Sequence, residues 1–368
     1  MLSSETPVSE QYPAVPPSTP DHDQDRRRFL GGAALLAGAT GLLGAAPRAR
    51  AAADGRPAPL RDVAGKLAFI TGGSSGIGLG MARAFSAAGM SVVIAYIQDE
   101  QLPQALQFFR DPNPGVHAVK LDVTDRDAWA RVADEVTKKY GPVHLLCNNA
   151  GVGIQTSLAR ASYKDWDWGM GVNLNGVFNG IHTFLPRMLE HGQGGHVVTT
   201  SSMSGLLPVG RTSLYTTAKF AVVGMMESLR AEMENEDIGV SVYCPGLVHT
   251  NIYQTERNRP AEFANEKSAQ DAKGAAAGEA MLRDRILPAG MDPLEAGQRV
   301  LRGVRNNDLF ILSHPEFREG LQERFEAILA SVPEGEVPPA TRLAAEQVTM
   351  RNPLYARERD RLLQARKR

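Results

Sequence analysis

Short apolar runs alternate with longer amphipathic stretches between residues 61 and 312. The runs Leu67–Ile70, Ser91–Ile97 (with Val92, Val93 and Ile94), Val116–Leu121, Val143–Cys147, His196–Thr200, Val240–Cys244 and Leu309–Leu312 are each apolar almost throughout and predict strands. Helical patterns lie between them. One runs from Leu79 to Ala88. A second carries Trp129, Val132 and Val136, is capped by Thr124 and stops at Gly141-Pro142. Gly169–Glu190 reads as one long helix, Tyr215–Asn235 as a helix with a narrow small-residue face, and Leu294–Val304 as another. Near-continuously apolar strands joined by helices predict a parallel sheet covered on both faces.

Three stretches break the rhythm. Residues 250–291 are polar and rich in Ala and Gly, follow the sixth strand, and are placed to form a lid over a ligand at the carboxyl end of the sheet. Residues 316–368 form an extension whose last part, from 333, begins Pro-rich and ends in an Arg-rich polar helix. A solvated tail and an arm gripping a second subunit are both compatible with it. Residues 1–53 read as a disordered, Pro-rich start followed by a leader: Arg26-Arg27-Arg28-Phe29-Leu30, an uncharged run of Gly, Ala and Leu, then Ala49-Arg50-Ala51 or Ala51-Ala52-Ala53 as a cleavage site. The paired arginines resemble the twin-arginine type of signal, which implies periplasmic export of a folded protein. The Gly-rich run is poorly apolar for a stable membrane span, and cleavage is expected. An uncleaved anchor or an inactive leader is the alternative.

Composition narrows the field. The chain has 368 residues, 43% of them apolar, and a formal charge of −1, which suggests neither nucleic acid nor an anionic membrane as a partner. Its two cysteines, Cys147 and Cys244, form no C-x-x-C, and the histidines show no metal spacing, so no metal is expected.

The stretch Thr71-Gly72-Gly73-Ser74-Ser75-Gly76-Ile77-Gly78 joins the first strand to the first helix. Strand, Gly-rich turn, helix is the context of a dinucleotide-binding turn. Gly72 and Gly76 let backbone approach a pyrophosphate, Gly78 lets helix and strand pack closely, and the helix N-terminus offers N–H groups to phosphate. Tyr215 and Lys219 are i and i+4 on one helix face. An ammonium beside a phenol would lower its pKa and suit it to proton exchange with an alcohol or carbonyl. Ser202 lies at the end of the fifth strand, Asn173 inside the long helix, where an Asn is costly without a role, and Asn148-Asn149-Ala150-Gly151 ends the fourth strand.

Together these motifs resemble the short-chain dehydrogenase/reductase family over about residues 64–312, in order and spacing: T-G-x-x-x-G-x-G, Asn-Asn-Ala-Gly, a helical Asn, a Ser, Tyr-x-x-x-Lys, then Pro245-Gly246 with Thr250. The resemblance implies a Rossmann doubly wound α/β fold, its parallel sheet of seven strands ordered 3-2-1-4-5-6-7, with residues 61–315 as the catalytic domain. It implies Tyr215 as general acid/base, Lys219 lowering its pKa and holding the ribose, Ser202 orienting the substrate oxygen, and Asn173 holding a water in a proton relay. The implied cofactor residues are Gly72, Ser74, Ser75, Gly76, Ile77, Gly78, Tyr96, Asp122, Val123, Asn149, Gly151, Tyr215, Lys219, Pro245, Gly246, Val248 and Thr250. The cofactor is NADP or NAD. Tyr96 stands where NAD users carry an Asp, and Ile97 and Ser75 where 2′-phosphate users carry an Arg. Lack of the Asp removes a repulsion and tilts the choice to NADP. The implied reaction is hydride transfer between nicotinamide and a secondary alcohol or ketone, by a homodimer or homotetramer. Two stretches, Val172–Met188 and Pro245–Ile252, resemble bacterial dehydrogenases of benzylic alcohols in lignin-derived dimers, with Trp166, Trp168 and Met203 as candidate aromatic or soft contacts. A binding protein without turnover, and an epimerase or dehydratase of the same family, are the rival readings. The implied strand order also separates Cys147 from Cys244 by two strand spacings, about 9–10 Å, beyond the roughly 7 Å a disulfide spans, so both thiols are expected to be free.

Overall fold

The computed structural model describes residues 59–109, 115–154, 156–265, 269–347 and 349–365, all within the unit Ala52–Arg368. The leader read in residues 1–53 and most of the turn at 111–115 lie outside the described residues.

The first half alternates strictly: β1 (Leu67–Thr71), α1 (Gly76–Ala87), β2 (Ser91–Tyr96), the short α2 (Leu102–Leu106), β3 (Val116–Lys120), α3 (Arg126–Tyr140) and β4 (Val143–Asn148). Then follow α4 (Tyr163–Met170), α5 (Gly176–His191), β5 (Gly195–Thr200), α6 (Ser213–Glu232), β6 (Ile238–Cys244), α7 (Ala269–Met281), α8 (Pro293–Asn306) and β7 (Phe310–Leu312). The C-terminal segment adds α9 (Arg318–Ala330), α10 (Ala340–Glu346) and α11 (Pro353–Ala365). All seven strands pair in parallel, in the order 3-2-1-4-5-6-7.

Alternate side chains of each strand enter opposite layers. Phe69, Val93, Leu146, Val197 and Val240 meet Trp129, Phe184 and Val222 from α3, α5 and α6 on one face. Ile70, Ile94, Cys147, Val198 and Tyr243 meet Met81, Phe85, Val300 and Val304 from α1 and α8 on the other. Burial on both faces is why these strands read as continuous apolar runs rather than alternating ones. Cys147 and Cys244 are buried free thiols on strands that flank β5.

Three local readings need correction. The predicted long helix begins earlier, at Tyr163, and changes winding at Gly171–Asn175, one turn wound as a π-helix between α4 and α5. Ser162 starts it with a reciprocal capping box with Asp165, a short-range signal that explains the earlier onset. The cap of α3 is Asp125, which accepts from the Ala128 N–H, because Thr124 is already turned into a local bond with Asp122. Finally, residues 250–291 are not irregular. They hold helical turns at Ile252–Asn258 and Ala261–Phe263, then α7.

α11 docks on its own chain. Glu358 bonds Arg230 at 2.8 Å and Arg361 at 2.8 Å, Arg361 reaches Asp308 at 2.8 Å, and Leu354 is buried.

Candidate active site

A cleft of about 390 Å³ opens at the carboxyl ends of the central strands, where the strand order reverses between β1 and β4. Its floor is the Gly-rich turn. Gly72 at φ +64° and Gly76 at φ +51° hold left-handed conformations that other residues adopt at a cost. A Cβ on Gly78 would lie 2.3 Å from the Gly72 carbonyl oxygen, so this glycine brings α1 against the turn from behind and does not line the cleft. The N-terminus of α1 has no side-chain cap, and Ser75, Gly76 and Ile77 line the cleft there. Uncapped helical N–H groups between glycines suit a diphosphate.

The turn is tied to the end of β4. Thr71 Oγ1 accepts from the N–H groups of Asn149 and Ala150 at 2.8 and 3.0 Å, and Asn149 Nδ2 donates to the Thr71 carbonyl at 3.1 Å. Thr200 Oγ1 at the end of β5 donates to Asn149 Oδ1 at 3.1 Å. Three adjacent strand ends are thereby set in one arrangement.

Asn173 is fully buried and also stays off the cleft surface. Its Oδ1 accepts from Val152 N–H at 2.9 Å and its Nδ2 donates to the Val152 carbonyl at 2.8 Å. The π-wound turn is what points this amide inward, and both its groups fix the chain leaving β4. Gly151, just before that anchor, would set a Cβ 3.1 Å from Asn173 Oδ1 and 3.7 Å from Lys219 Nζ.

Ser202, Tyr215 and Lys219 lie together in the cleft wall. Lys219 is buried and donates to the Thr200 carbonyl at 3.0 Å, with Nζ 5.4 Å from the centre of the Tyr215 ring. The expectation that Lys219 lowers the phenol is not met in this geometry. Burial pushes Tyr215 up to about 12, against a downward pull from its hydrogen bond with Ser202. The ammonium faces a carbonyl and the ring, not the hydroxyl. Desolvation in turn lowers Lys219 to about 8.

The other expected cofactor residues, Ser74, Tyr96, Asp122, Val123, Pro245, Gly246, Val248 and Thr250, also line the cleft. Asp122 accepts from Thr124 N–H and Oγ1 at 2.9 and 2.8 Å, which holds its side chain at the end of β3. Beyond β2, Asp99 pairs with Lys120 at the surface, its carboxyl lowered chiefly by that hydrogen bond.

Of the three candidate aromatic or soft contacts, Trp168 lines the cleft, while Trp166 and Met203 do not; Leu287 and Phe263 were not anticipated. Trp168, Val172, Leu247, Leu287 and Phe263 form an apolar wall. Over it lies the segment 252–265, fastened on two sides. Thr255 Oγ1 accepts from Gly153 N–H at 2.7 Å. Arg259 pairs with Asp165 at 2.9 Å, both side chains nearly buried, and stacks its guanidinium 4.2 Å from the centre of the Trp168 ring. Asp165 is held low by Ser162 and Arg259 despite burial, the largest single effect, which pushes the other way. Pairing across so many residues leaves no mark in local spacing, and only the helix cap at Ser162–Asp165 could have been found from sequence. The Gln98 amide donates to the Arg257 carbonyl at 3.2 Å, which brings the lid beside the end of β2.

Among the described residues no group of three or more His, Cys, Asp or Glu is placed to hold a metal ion, and no helix is long and apolar enough to cross a membrane.

A doubly wound sheet with a Gly-rich turn at its switch point and a Tyr–Lys pair lining the same cleft defines a class of oxidoreductase. The short chain dehydrogenase family model matches residues 66–261. A C alpha-dehydrogenase from Sphingobium sp. (strain NBRC 103272 / SYK-6) is 38% identical over 274 residues, 74% of this chain and 88% of that protein. A short chain dehydrogenase/reductase from Burkholderia phymatum, solved in complex with NAD, is 30% identical with a TM-score of 0.68, covering 76% of this chain and 99% of that one. The apo form of LigD from Sphingobium sp. strain SYK-6 is 36% identical with a TM-score of 0.61, over 74% and 99%. The chain belongs to the short-chain dehydrogenase family and is an enzyme of the oxidoreductase class.

Proposed function

We propose that the chain transfers hydride between a nicotinamide dinucleotide and a secondary alcohol or ketone, with Tyr215 moving the proton. The convergence of Ser202, Tyr215 and Lys219 on one wall of a cleft floored by the Gly-rich turn carries this reading. The turn and the α1 N-terminus would hold the diphosphate, Asp122 and Val123 the adenine, and Lys219 the ribose, and the loop Pro245–Val248, which also lines the cleft, would border the nicotinamide. When bound, the nicotinamide supplies or accepts the hydride. Ser202 Oγ bonds the substrate oxygen. Tyr215 Oη takes the hydroxyl proton in oxidation and returns it in reduction. Lys219 is held in place by the Thr200 carbonyl, and Asn173 keeps the wall in place through Val152. Tyr215→Phe is expected to lower turnover on an alcohol panel by about 10²–10⁴-fold with nucleotide binding retained. Undiminished turnover would refute the role, and binding without any turnover in the wild type would favour a non-catalytic protein.

The apolar wall of Trp168, Phe263 and Leu287 supports an aromatic alcohol, and the resemblance of Val172–Met188 and Pro245–Ile252 to benzylic-alcohol dehydrogenases supports a benzylic one, alongside a Sphingobium relative named a C alpha-dehydrogenase. Net oxidation of such an alcohol separates this from epimerisation or dehydration. For the cofactor we favour NADP. No carboxylate ends β2, and Arg257 from the lid lines the cleft. A higher kcat/KM with NAD would reverse that choice. The twin-arginine-type leader supports export to the periplasm with cofactor already loaded. A reporter fused to residues 1–55 should be exported, and Arg26/Arg27→Lys should stop it. A homodimer or homotetramer would show as a multiple of 39.7 kDa by light scattering.

A further inference from the structure

The segment after β7 lies beyond the residues matched by the family model, yet one of its side chains is built into the cleft wall. His314 is 9% exposed. Its Nδ1 lies 2.9 Å from the N–H of Gly246 and its Nε2 3.1 Å from the carbonyl oxygen of Leu247. A backbone N–H can only donate, so Nδ1 accepts, and the ring proton sits on Nε2 and is donated to Leu247. One neutral imidazole thus bridges two consecutive residues of the loop Pro245–Val248. The seat is close. A Cβ on Gly246 would lie 2.9 Å from the imidazole and 2.6 Å from the Phe317 ring. The ring is itself held, with Ser313 Oγ 2.8 Å from Nδ1 and Tyr243 Oη 3.2 Å from Ser313 Oγ.

The other bonds that hold this loop are between backbone groups: Met203 N–H to the Pro245 carbonyl at 2.8 Å, Met291 N–H to the Leu247 carbonyl at 3.0 Å, and His249 N–H to the Met291 carbonyl at 3.0 Å. His314 is the side-chain contribution to a loop otherwise pinned by main chain. All four loop residues line the cleft, as do Tyr215 and the turn.

We propose that His314 is a positioning residue that sets the loop Pro245–Val248 and, through it, the seat of the nicotinamide ring. The inference rests on the dinucleotide reading above, with this loop bordering the nicotinamide. It makes a specific separation. The diphosphate and adenosine contacts lie on the Gly-rich turn and the ends of β2 and β3, which His314 does not touch. Loss of the clamp therefore weakens binding of the whole cofactor but leaves its nicotinamide-free portion alone.

The test measures dissociation constants on wild type, His314→Ala and His314→Asn. The ligands are whichever of NADH and NADPH binds more tightly, and the matching ADP-ribose or 2′-phospho-ADP-ribose. His314→Ala is expected to weaken the reduced cofactor about tenfold, the net worth of about one buried hydrogen bond, with the ADP-ribose constant changed less than about twofold. His314→Asn retains an acceptor for Gly246 N–H and should recover part of the loss, and it supplies a second test should the alanine variant fold poorly. Equal weakening of both ligands, or no change in either, overturns the proposal. Wild-type protein that binds neither cofactor, or binds cofactor and ADP-ribose equally well, overturns instead the reading on which it rests.

Discussion

His196, a residue of β5, is fully enclosed beside Gly239 and Ser241 of β6. Its Nε2 bonds Ser241 Oγ at 2.7 Å, and Ser241 passes its own proton to the Asp308 carbonyl. Nδ1 has no partner among the described residues, so a second ring proton would be a buried, unanswered charge. Burial first, and then the charge of Arg230, lower this histidine from 6.5 to about 3. The unfolded chain then binds the proton and the folded chain does not throughout that window. Stability must fall as pH drops from about 6.5 towards 3, with at most about 1.4 kcal/mol per pH unit from this one group. His196→Gln can still bond Ser241 and carries no titrating proton. Urea midpoints against pH should show a flatter acid limb for that variant than for the parent, and parallel limbs would disprove the assignment. At Tyr215 and Lys219 the same physics acts on function. Burial raises the phenol and lowers the amine, so the pair in the free enzyme is less polarised than i,i+4 spacing alone suggests.

The lid is held by Thr255 on Gly153 and by Asp165, which Arg259 and Asn265 share, with Gln98 and Lys164 bonding the carbonyls of Arg257 and Ala264. Removing one partner of a nearly buried ion pair is costly because the other is left without its counter-charge. Arg259→Ala should therefore favour an open lid and release one face of the Trp168 indole. We expect the substrate KM to rise about tenfold or more, cofactor affinity to hold, and limited proteolysis within 250–265 to accelerate. A KM within twofold of the parent would show that the lid closes without the latch. Element by element, what was legible in the sequence was local. Strands such as Val143–Asn148 announce themselves by composition, the Gly72–Gly78 turn by a short motif, and Tyr215 with Lys219 by spacing on one helix. The strand order came with the family pattern. Asp165 and Asn265 are 100 residues apart and Arg230 and Glu358 are 128 apart, and no window of sequence holds both members of either pair. The turn at Gly171–Asn175 was hidden for another reason. Its Gly, Val and Asn residues are weak helix formers, but low propensity does not say which winding a helical run adopts, and here the winding accompanies the reach of Asn173 to Val152.

At the scale of the whole molecule, the C-terminal extension is exposed at nearly all the described residues of 331–353 and docks on its own chain at α11. Glu358 is almost buried between Arg230 and Arg361, and its second oxygen also accepts from Leu309 N–H just before β7. The last helix thus braces the edge of the sheet and the end of α6, the helix that carries Tyr215. Glu358→Gln leaves two guanidinium groups facing each other across a neutral amide. It should cost about 2–4 kcal/mol of global stability. Denaturant unfolding checks this, and a change below about 0.5 kcal/mol would mean the cluster is solvated in practice. Cys147 and Cys244 sit in the interior with their thiols raised by burial, Cys244 to about 12, and are poor nucleophiles as a result.

The π-wound turn at Gly171–Asn175 lies in a helical run that faces the cleft at one end and the sheet at the other. Trp168 lines the cleft before it, and Phe184 and Met188 enter the core after it. The wider turn takes up one extra residue and nearly keeps the phase of the helix on either side, where one more residue of ordinary helix would turn it by about 100°. Deleting one residue of the turn would therefore restore ordinary winding with Trp168 and Phe184 still on their faces. What it would remove is the placement of Asn173, and with it both bonds to Val152.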